Sequence, residues 1–282
     1  MKKGLILEGG AMRGMFTCGV LDVFMEEKII FDGAVGISAG AVFGCNFKSK
    51  QIGRPIRYNK KYSKDPRYCS LQSLIKTGDL YGVDFCYHEL PDVLDPLDRE
   101  TFKRNPMDFY IGATNIETGE CEFHKCVDGE NEDISWMQAS ASMPLVSKPV
   151  AIDGNLYLDG GIANTVPFKF MEDLGFDKNV VILTQPKGYL KKKSSTYLIL
   201  KGTMRKYPKL IDAMKNRHRM YNKQMVEINK REREGSLFVI RPPQSLGIGR
   251  TEKDPDELER VYQTGREAAK QILPELKEYL DI

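Results

Sequence analysis

The sequence predicts an α/β fold in which a mainly parallel central sheet is flanked by helices and followed by a helical C-terminal elaboration. Three observations carry this expectation. Two strand, turn and helix units follow one another in the first 48 residues, further short strands recur up to Pro186, and beyond Pro186 the chain turns into long, basic, helical sequence. Strands that each feed a helix pair in parallel and are covered on both faces.

The elements follow in order. Leu5-Ile6-Leu7 is an apolar strand ending in the turn Glu8-Gly9-Gly10; from about Gly14 to Glu27 a helix is expected, with Phe16, Val20, Val23 and Phe24 on one face. Ala34 to Ile37 forms a second strand that reaches Ser38, and Ala39 to Phe43 returns to helix. Phe109 to Thr114 reads as a strand whose turn, Ile116 to Glu120, leads to a hairpin partner at Cys121 to His124. Ala151 to Leu158 forms a second hairpin, because Asp153-Gly154 suits the positive φ that a two-residue turn requires. Val180 to Leu183 is a buried parallel strand. Farther on, Tyr207, Ile211, Met214, His218, Tyr221, Met225 and Ile228 recur at alternating steps of four and three, an apolar stripe with most basic residues on the opposite face. Leu237 to Ile240 is one more strand, closed by Pro242-Pro243. The last helix starts at an Asp254 N-cap with Pro255 in first position and runs to about Tyr279. With no internal repeat and no Gly/Ser-rich linker, residues 1–186 are expected to form the main unit and residues 187–282 a basic, mainly helical extension packed on it.

At 282 residues, 41% hydrophobic and 29% charged, the chain can bury a proper core, which excludes a disordered chain or a small disulfide scaffold. The net charge of +3 conceals an asymmetry. Between Lys187 and Arg233 fifteen Lys or Arg stand against three acidic residues, so the rest of the chain carries −9. Such a face is either a solvated surface or a contact for an anionic membrane, and no nucleic acid partner is expected. The longest weakly polar run, 14 residues from Ala34 to Phe47, is shorter than the ~20 that cross a bilayer. The opening Met1 to Glu8 reaches an acidic residue after only three apolar ones, too early for a signal peptide, so a cytoplasmic location is expected, with peripheral contact at the inner membrane face left open. The six cysteines lack CxxC spacing, and Cys121, His124 and Cys126 are a sparse ligand set; reduced thiols are expected, without metal or cofactor.

Three motifs carry chemistry. Gly9-Gly10-Ala11-Met12-Arg13-Gly14 lies between strand and helix, where backbone N–H groups converge on an anion at a helix N-terminus. As a dinucleotide fingerprint it lacks the second glycine, and Ser38 stands where the acidic residue would be needed. Gly36-Ile37-Ser38-Ala39-Gly40 is a G-x-S-x-G at a strand-to-helix junction, either a nucleophile elbow or a close-packed turn with a buried serine. Asp159-Gly160-Gly161 follows a strand and offers either a base or a side chain that caps its own turn. The histidines are His88, His124 and His218. Ser38, Asp159 and His218 stand in α/β-hydrolase order, but His218 falls within the apolar stripe and only one βα unit precedes Ser38. A non-catalytic anion- or nucleotide-binding module is the remaining alternative.

In this order the three motifs resemble the patatin-like phospholipases, as do Ala139-Ser140-Ala141-Ser142-Met143-Pro144, Pro149 to Gly154 and Tyr157 to Gly161. The resemblance spans roughly residues 4–186. It implies a three-layer α/β/α fold and a serine acyl hydrolase that cleaves lipid carboxylic esters, of phospholipase A or lysophospholipase type, with a Ser–Asp dyad and no histidine. Carried over, Ser38 is the nucleophile and Asp159 the general base. Gly9, Gly10, Ala11, Met12, Arg13 and Gly14, with Ala39, belong to the oxyanion hole, and Gly36, Gly40, Gly160 and Gly161 support the motifs. Ala11 replaces a frequent family glycine but keeps its N–H. The partner so implied is a lipid or ester substrate; contact with an anionic membrane rests on the basic excess of the Lys187–Arg233 region alone, with a solvated face as its equal alternative.

Overall fold

In the computed structural model, which describes residues 1–282, Leu5-Ile6-Leu7 lies in β1 (Lys3–Leu7), at the centre of an eight-stranded sheet. β2 (Gly33–Ile37) and β7 (Lys178–Ile182) pair with β1 in parallel on either side. Residues 4–7 of β1 are buried on both faces, which is why this strand reads as a continuous apolar run instead of an alternation. The remaining strands are β3 (Asp108–Asn115), β4 (Cys121–Cys126), β5 (Val150–Ile152), β6 (Asn155–Asp159) and β8 (Leu237–Ile240). Their order is β5-β6-β3-β2-β1-β7-β8, with β4 on β3. From β3 to β8 the neighbours are parallel; β4, β5 and β6 are antiparallel additions at one side. Asp153 and Gly154, at φ of 47° and 79°, make the turn anticipated between β5 and β6.

Helices cover both faces. α1 (Met15–Glu26) and α2 (Ala39–Lys48) follow β1 and β2 as expected. Then come α3 (Arg54–Tyr62), α4 (Leu71–Thr77), wide helical turns over Phe85–Leu94, and α5 (Arg99–Arg104), in a stretch without a clean sequence period. α6 (Asn131–Ser140), α7 (Phe168–Asp173), α8 (Thr196–Thr203) and the long α9 (Pro208–Arg233) complete the middle. The single C-terminal helix expected from the sequence is two, α10 (Pro255–Gln271) and α11 (Leu273–Tyr279), parted at Ile272. Pro274, with no N–H to give, opens the second. Asp254 caps α10 as expected, accepting from the Asp256 amide at 3.0 Å.

The C-terminal third shares the core. Leu258, Val261, Tyr262, Leu276 and Leu280 belong to the same buried cluster as Leu5, Leu7, Phe16 and Val20. α10 lies against α1 so closely that a Cβ on Gly19 would fall 2.1 Å from the Tyr262 carbonyl oxygen, and one on Gly265 2.0 Å from that of Phe16. α9 covers the opposite face. Tyr221, Met225 and Ile228 pack with Ile6 and Val181, while Leu210 and Met214 pack with Leu158 and Ile162, so the apolar stripe of the sequence is the docked face. No helix is long and apolar enough to cross a membrane.

Candidate active site

The sheet brings the two ends of the site together through β3. β2 pairs with β3 up to Ile37 opposite Gly112, and β6 pairs with it down to Asp159 opposite Ala113. Because β4 occupies the other edge of β3 at Ala113, β2 and β6 must share one edge, and their C-terminal ends meet head to head. Ser38 follows the end of one strand and Asp159 ends the other. Residues 121 apart in the chain are adjacent by register alone.

Ser38 sits at φ 55° and ψ −121°, a strained conformation for a residue with a side chain and the mark of a strand-to-helix elbow. The flanking glycines are there for close approach. A Cβ on Gly36 would lie 2.4 Å from the Gly40 carbonyl oxygen, and one on Gly40 2.3 Å from that of Leu7. Gly9 is needed for the same reason, since its Cβ would lie 2.8 Å from that of Ser38. The elbow is braced from α6: the buried Ser140 hydroxyl donates to the Gly112 carbonyl at 2.7 Å and accepts the Ser38 amide at 2.8 Å. Two residues on, the Ser142 carbonyl accepts the Asp159 amide at 2.8 Å. One short segment thus fixes both Ser38 and Asp159, a role that its run of small residues in the sequence did not disclose.

The Asp159 side chain is buried, and its Oδ1 accepts the Gly161 amide at 2.8 Å, so the Asp-Gly-Gly turn is indeed capped by its own aspartate. Burial pushes this carboxyl above the usual range, while the Arg217 guanidinium, the Ser38 hydroxyl and the Gly161 amide pull the other way. The glycine turn faces the same space. The Gly9, Gly10, Ala11 and Ala39 amides donate to no protein acceptor, whereas the Met12 amide reaches the Arg250 carbonyl at 3.5 Å and the Arg13 amide the Gly10 carbonyl at 3.2 Å. Met12 and Arg13 are therefore not open amide donors. Gly14 stands apart from them, at the end of the turn and packed against Phe43.

A cavity of about 50 Å³ joins these parts, room for a few waters or one small anion. Ser38, Asp159, Gly9, Gly10, Ala11 and Arg13 line it, as the motifs require. So do Lys191, Arg217 and Arg250, which sequence reasoning missed. Arg217 precedes His218, the residue that the stripe read from the sequence places between Met214 and Tyr221, so the sequence period did not single it out. His218, one step round the helix, does not line the cavity, and neither does Ala39. Away from the cavity His124, Cys126 and Asp133 cluster within 4.8 Å. Asp133 is already committed there, to the His124 ring at 2.7 Å and to the amides of Val127, Asp128 and Gly129. All six cysteines are free thiols.

Comparison with known proteins fits this geometry. The family model for patatin-like phospholipases matches residues 5–171, more than half of the chain. The chain belongs to the patatin-like phospholipase family. Residues 207–281 of this patatin-like chain also match a domain of unknown function, DUF6363. Among curated proteins it is 28% identical over 196 residues to the uncharacterized protein YjjU of Escherichia coli, covering 64% of this chain and 52% of YjjU. It is 27% identical over 186 residues to lysophospholipase NTE1 of Chaetomium globosum, covering 62% of this chain and 11% of that protein. The chain thus spans about half the length of the first relative and a tenth of the second. Among solved structures VipD of Legionella pneumophila aligns with a TM-score of 0.47 at 14% identity, over 97% of this chain and 67% of that one.

Proposed function

We propose that this chain is a serine acyl hydrolase that cleaves carboxylic esters of lipids, of phospholipase A or lysophospholipase type, with Ser38 as nucleophile and Asp159 as general base. The observation that carries this reading is the head-to-head meeting of β2 and β6 on β3, which gathers an elbow serine and a buried aspartate in one cavity beside unpartnered amides. The relative named lysophospholipase NTE1 supports the substrate class.

In the first step Ser38 Oγ attacks the ester carbonyl carbon and its proton passes to Asp159. The carbonyl oxygen becomes an oxyanion facing the Gly9, Gly10, Ala11 and Ala39 amides; one such donor contributes ~3 to 4 kcal/mol to catalysis elsewhere. Collapse expels the alcohol, which takes the proton back from Asp159 and leaves an acyl-serine. Water, giving a proton to the same carboxylate, then attacks the acyl carbon; collapse breaks the bond to Ser38 Oγ, which takes that proton back, and the fatty acid leaves. A raised carboxyl makes Asp159 a better base than a free aspartate, and it must be ionised to act.

In this reading residues 1–186 are the catalytic unit and 187–282 an extension packed on it in the cytoplasm, with a basic surface that meets anionic membrane. Exposed Lys192, Lys193, Lys201, Arg205 and Lys206 lie in the same stretch of chain as exposed Leu190, Leu198 and Ile199, a mixture that suits a lipid interface. A fluorophosphonate probe should label Ser38 and fail on Ser38→Ala. Asp159→Asn should lower kcat at least a thousandfold, while His218→Ala keeps most of it. Turnover of a neutral ester should fall with acid at a pH above the ordinary Asp value of about 3.9, because protonated Asp159 cannot accept the serine proton. Absence of labelling in fresh wild-type protein overturns the reading.

A further inference from the structure

The C-terminal third contributes Lys191, Arg217 and Arg250 to the lining of the cavity that Ser38 also lines, and this part of the lining is cationic. Arg13, Lys191, Arg217 and Arg250 face only two carboxylates, Glu8 and Asp159, a formal excess of two positive charges. None of the four forms an ion pair at salt-bridge distance. Arg13 Nε is buried without a hydrogen-bond partner. Arg13, Lys191 and Arg217 are half-buried and Arg250 is exposed; half-buried cations without a salt-bridge partner are costly unless something negative joins them.

Each of the three C-terminal cations is held in position. Arg217 Nε donates to the Gly161 carbonyl at 2.6 Å, next to the Asp159 turn. The Lys191 backbone is gripped by α9, its amide donating to Asn222 Oδ1 at 2.9 Å and its carbonyl accepting from Asn222 Nδ2 at 3.1 Å. The Lys191 ammonium then lies over the Tyr221 ring, 4.3 Å from its centroid. The Arg250 carbonyl accepts the Met12 amide and, at 3.3 Å, the Tyr81 hydroxyl, which ties this loop to the glycine turn. These are fixed supports for charged ends whose nearest acids, Asp159 for Arg217 and Glu8 for Lys191, act on them without closing a salt bridge.

We propose that Lys191, Arg217 and Arg250 form an anion subsite beside the dyad that seats the phosphate of a singly acylated glycerol phosphate, so that the enzyme favours anionic lysolipid esters over neutral or choline-bearing ones. The assignment rests on the Ser38–Asp159 reading above. A phosphate monoester carries about −1.5 to −2 charges at pH 7, which matches the local excess. A quaternary ammonium would meet the same wall with repulsion.

The subsite is also pH-sensitive. Burial and the neighbouring Arg217, Arg250 and Arg13 push Lys191 down to about 7, with Glu8 opposing. The charged and titratable groups facing it are these four, Asp159, Tyr189 and Tyr221. As pH rises through about 7 the empty site loses a positive charge, so phosphate binding should weaken and take up a proton when it occurs.

The test compares a 1-acylglycerol 3-phosphate, the matching neutral 1-acylglycerol and the matching lysophosphatidylcholine, with fluorophosphonate labelling of Ser38 run in parallel. Wild type should prefer the phosphate ester at least tenfold in kcat/KM over each of the others. The Lys191→Met/Arg250→Gln protein, checked for folding by circular dichroism, should lose most of that preference. A labelled enzyme with no such preference, or one that the double variant retains, overturns the proposal. Inorganic phosphate, titrated calorimetrically into Ser38→Ala at pH 6.5 and 8, provides a readout independent of turnover. Binding weakened tenfold by the double substitution supports the anion site even if Ser38 is never labelled, in which case the dyad reading alone has failed. Phosphate binding without ester preference assigns the site to a free anion and overturns the headgroup assignment, and no phosphate binding overturns the subsite.

Discussion

The two walls of the cavity are made differently. The wall of Gly9, Gly10, Ala11, Ser38 and Asp159 is held by backbone: strand register, an elbow that glycines alone permit, and the Ser140 and Ser142 braces. The wall of Lys191, Arg217 and Arg250 is held by docking, of α9 on one face of the sheet and of α10 on α1 on the other. Backbone-built chemistry leaves a signature at fixed spacing, because every glycine that keeps a carbonyl clear has to stand at its own position. Docked chemistry leaves hardly any, because its residues are aligned only once three separate segments have packed.

That difference explains what could be read in advance. The βα units, the Asp153-Gly154 hairpin, strand β8 and the α9 stripe were legible because each rests on local period or turn chemistry. So were Ser38 and Asp159 as candidates. The head-to-head junction of β2 and β6 was not, since it depends on both strands choosing the same edge of β3. Nor was the break at Ile272, where an apolar stripe continues across a point at which Pro274 ends the hydrogen-bond ladder. Arg217 left no trace either, because the stripe as read from the sequence passes through His218 beside it.

The largest test of the comparison breaks the backbone-built wall. In Gly40→Ala the new methyl falls on the Leu7 carbonyl in the central strand, where neither backbone can yield. A cost of about 3 kcal/mol or more is expected, at the upper end for overpacking, with loss of fluorophosphonate labelling even in whatever protein remains folded. Retained labelling would mean that the elbow tolerates a wider approach than its geometry implies.

A smaller effect is expected from the docked wall. Gly265→Ala places a methyl on the Phe16 carbonyl between α10 and α1, but two helices can separate by a fraction of an ångström where an elbow cannot. Denaturant unfolding should show a loss of about 1–3 kcal/mol. Labelling of Ser38 should persist, while the preference for a phosphate-bearing ester should drop, because the Arg250 loop leads directly into α10. Equal loss of both would show that the two walls are not independent.

The smallest effect separates conformation from chemistry within a single residue. Ala11 holds φ at 49°, where a side chain costs ~1 kcal/mol, and its amide is among those without an acceptor. Ala11→Gly removes the strain and keeps the N–H, but adds roughly 0.4–1 kcal/mol of freedom to the unfolded chain. The two terms nearly cancel, so the net gain in stability should stay below about 1 kcal/mol, with kcat on a neutral ester within twofold of wild type. A large fall in kcat would show that the methyl, and not only the amide, shapes the space around the oxyanion. An unchanged kcat would mean that this position serves the reaction through its backbone alone, which is the sense in which this wall differs from the one opposite.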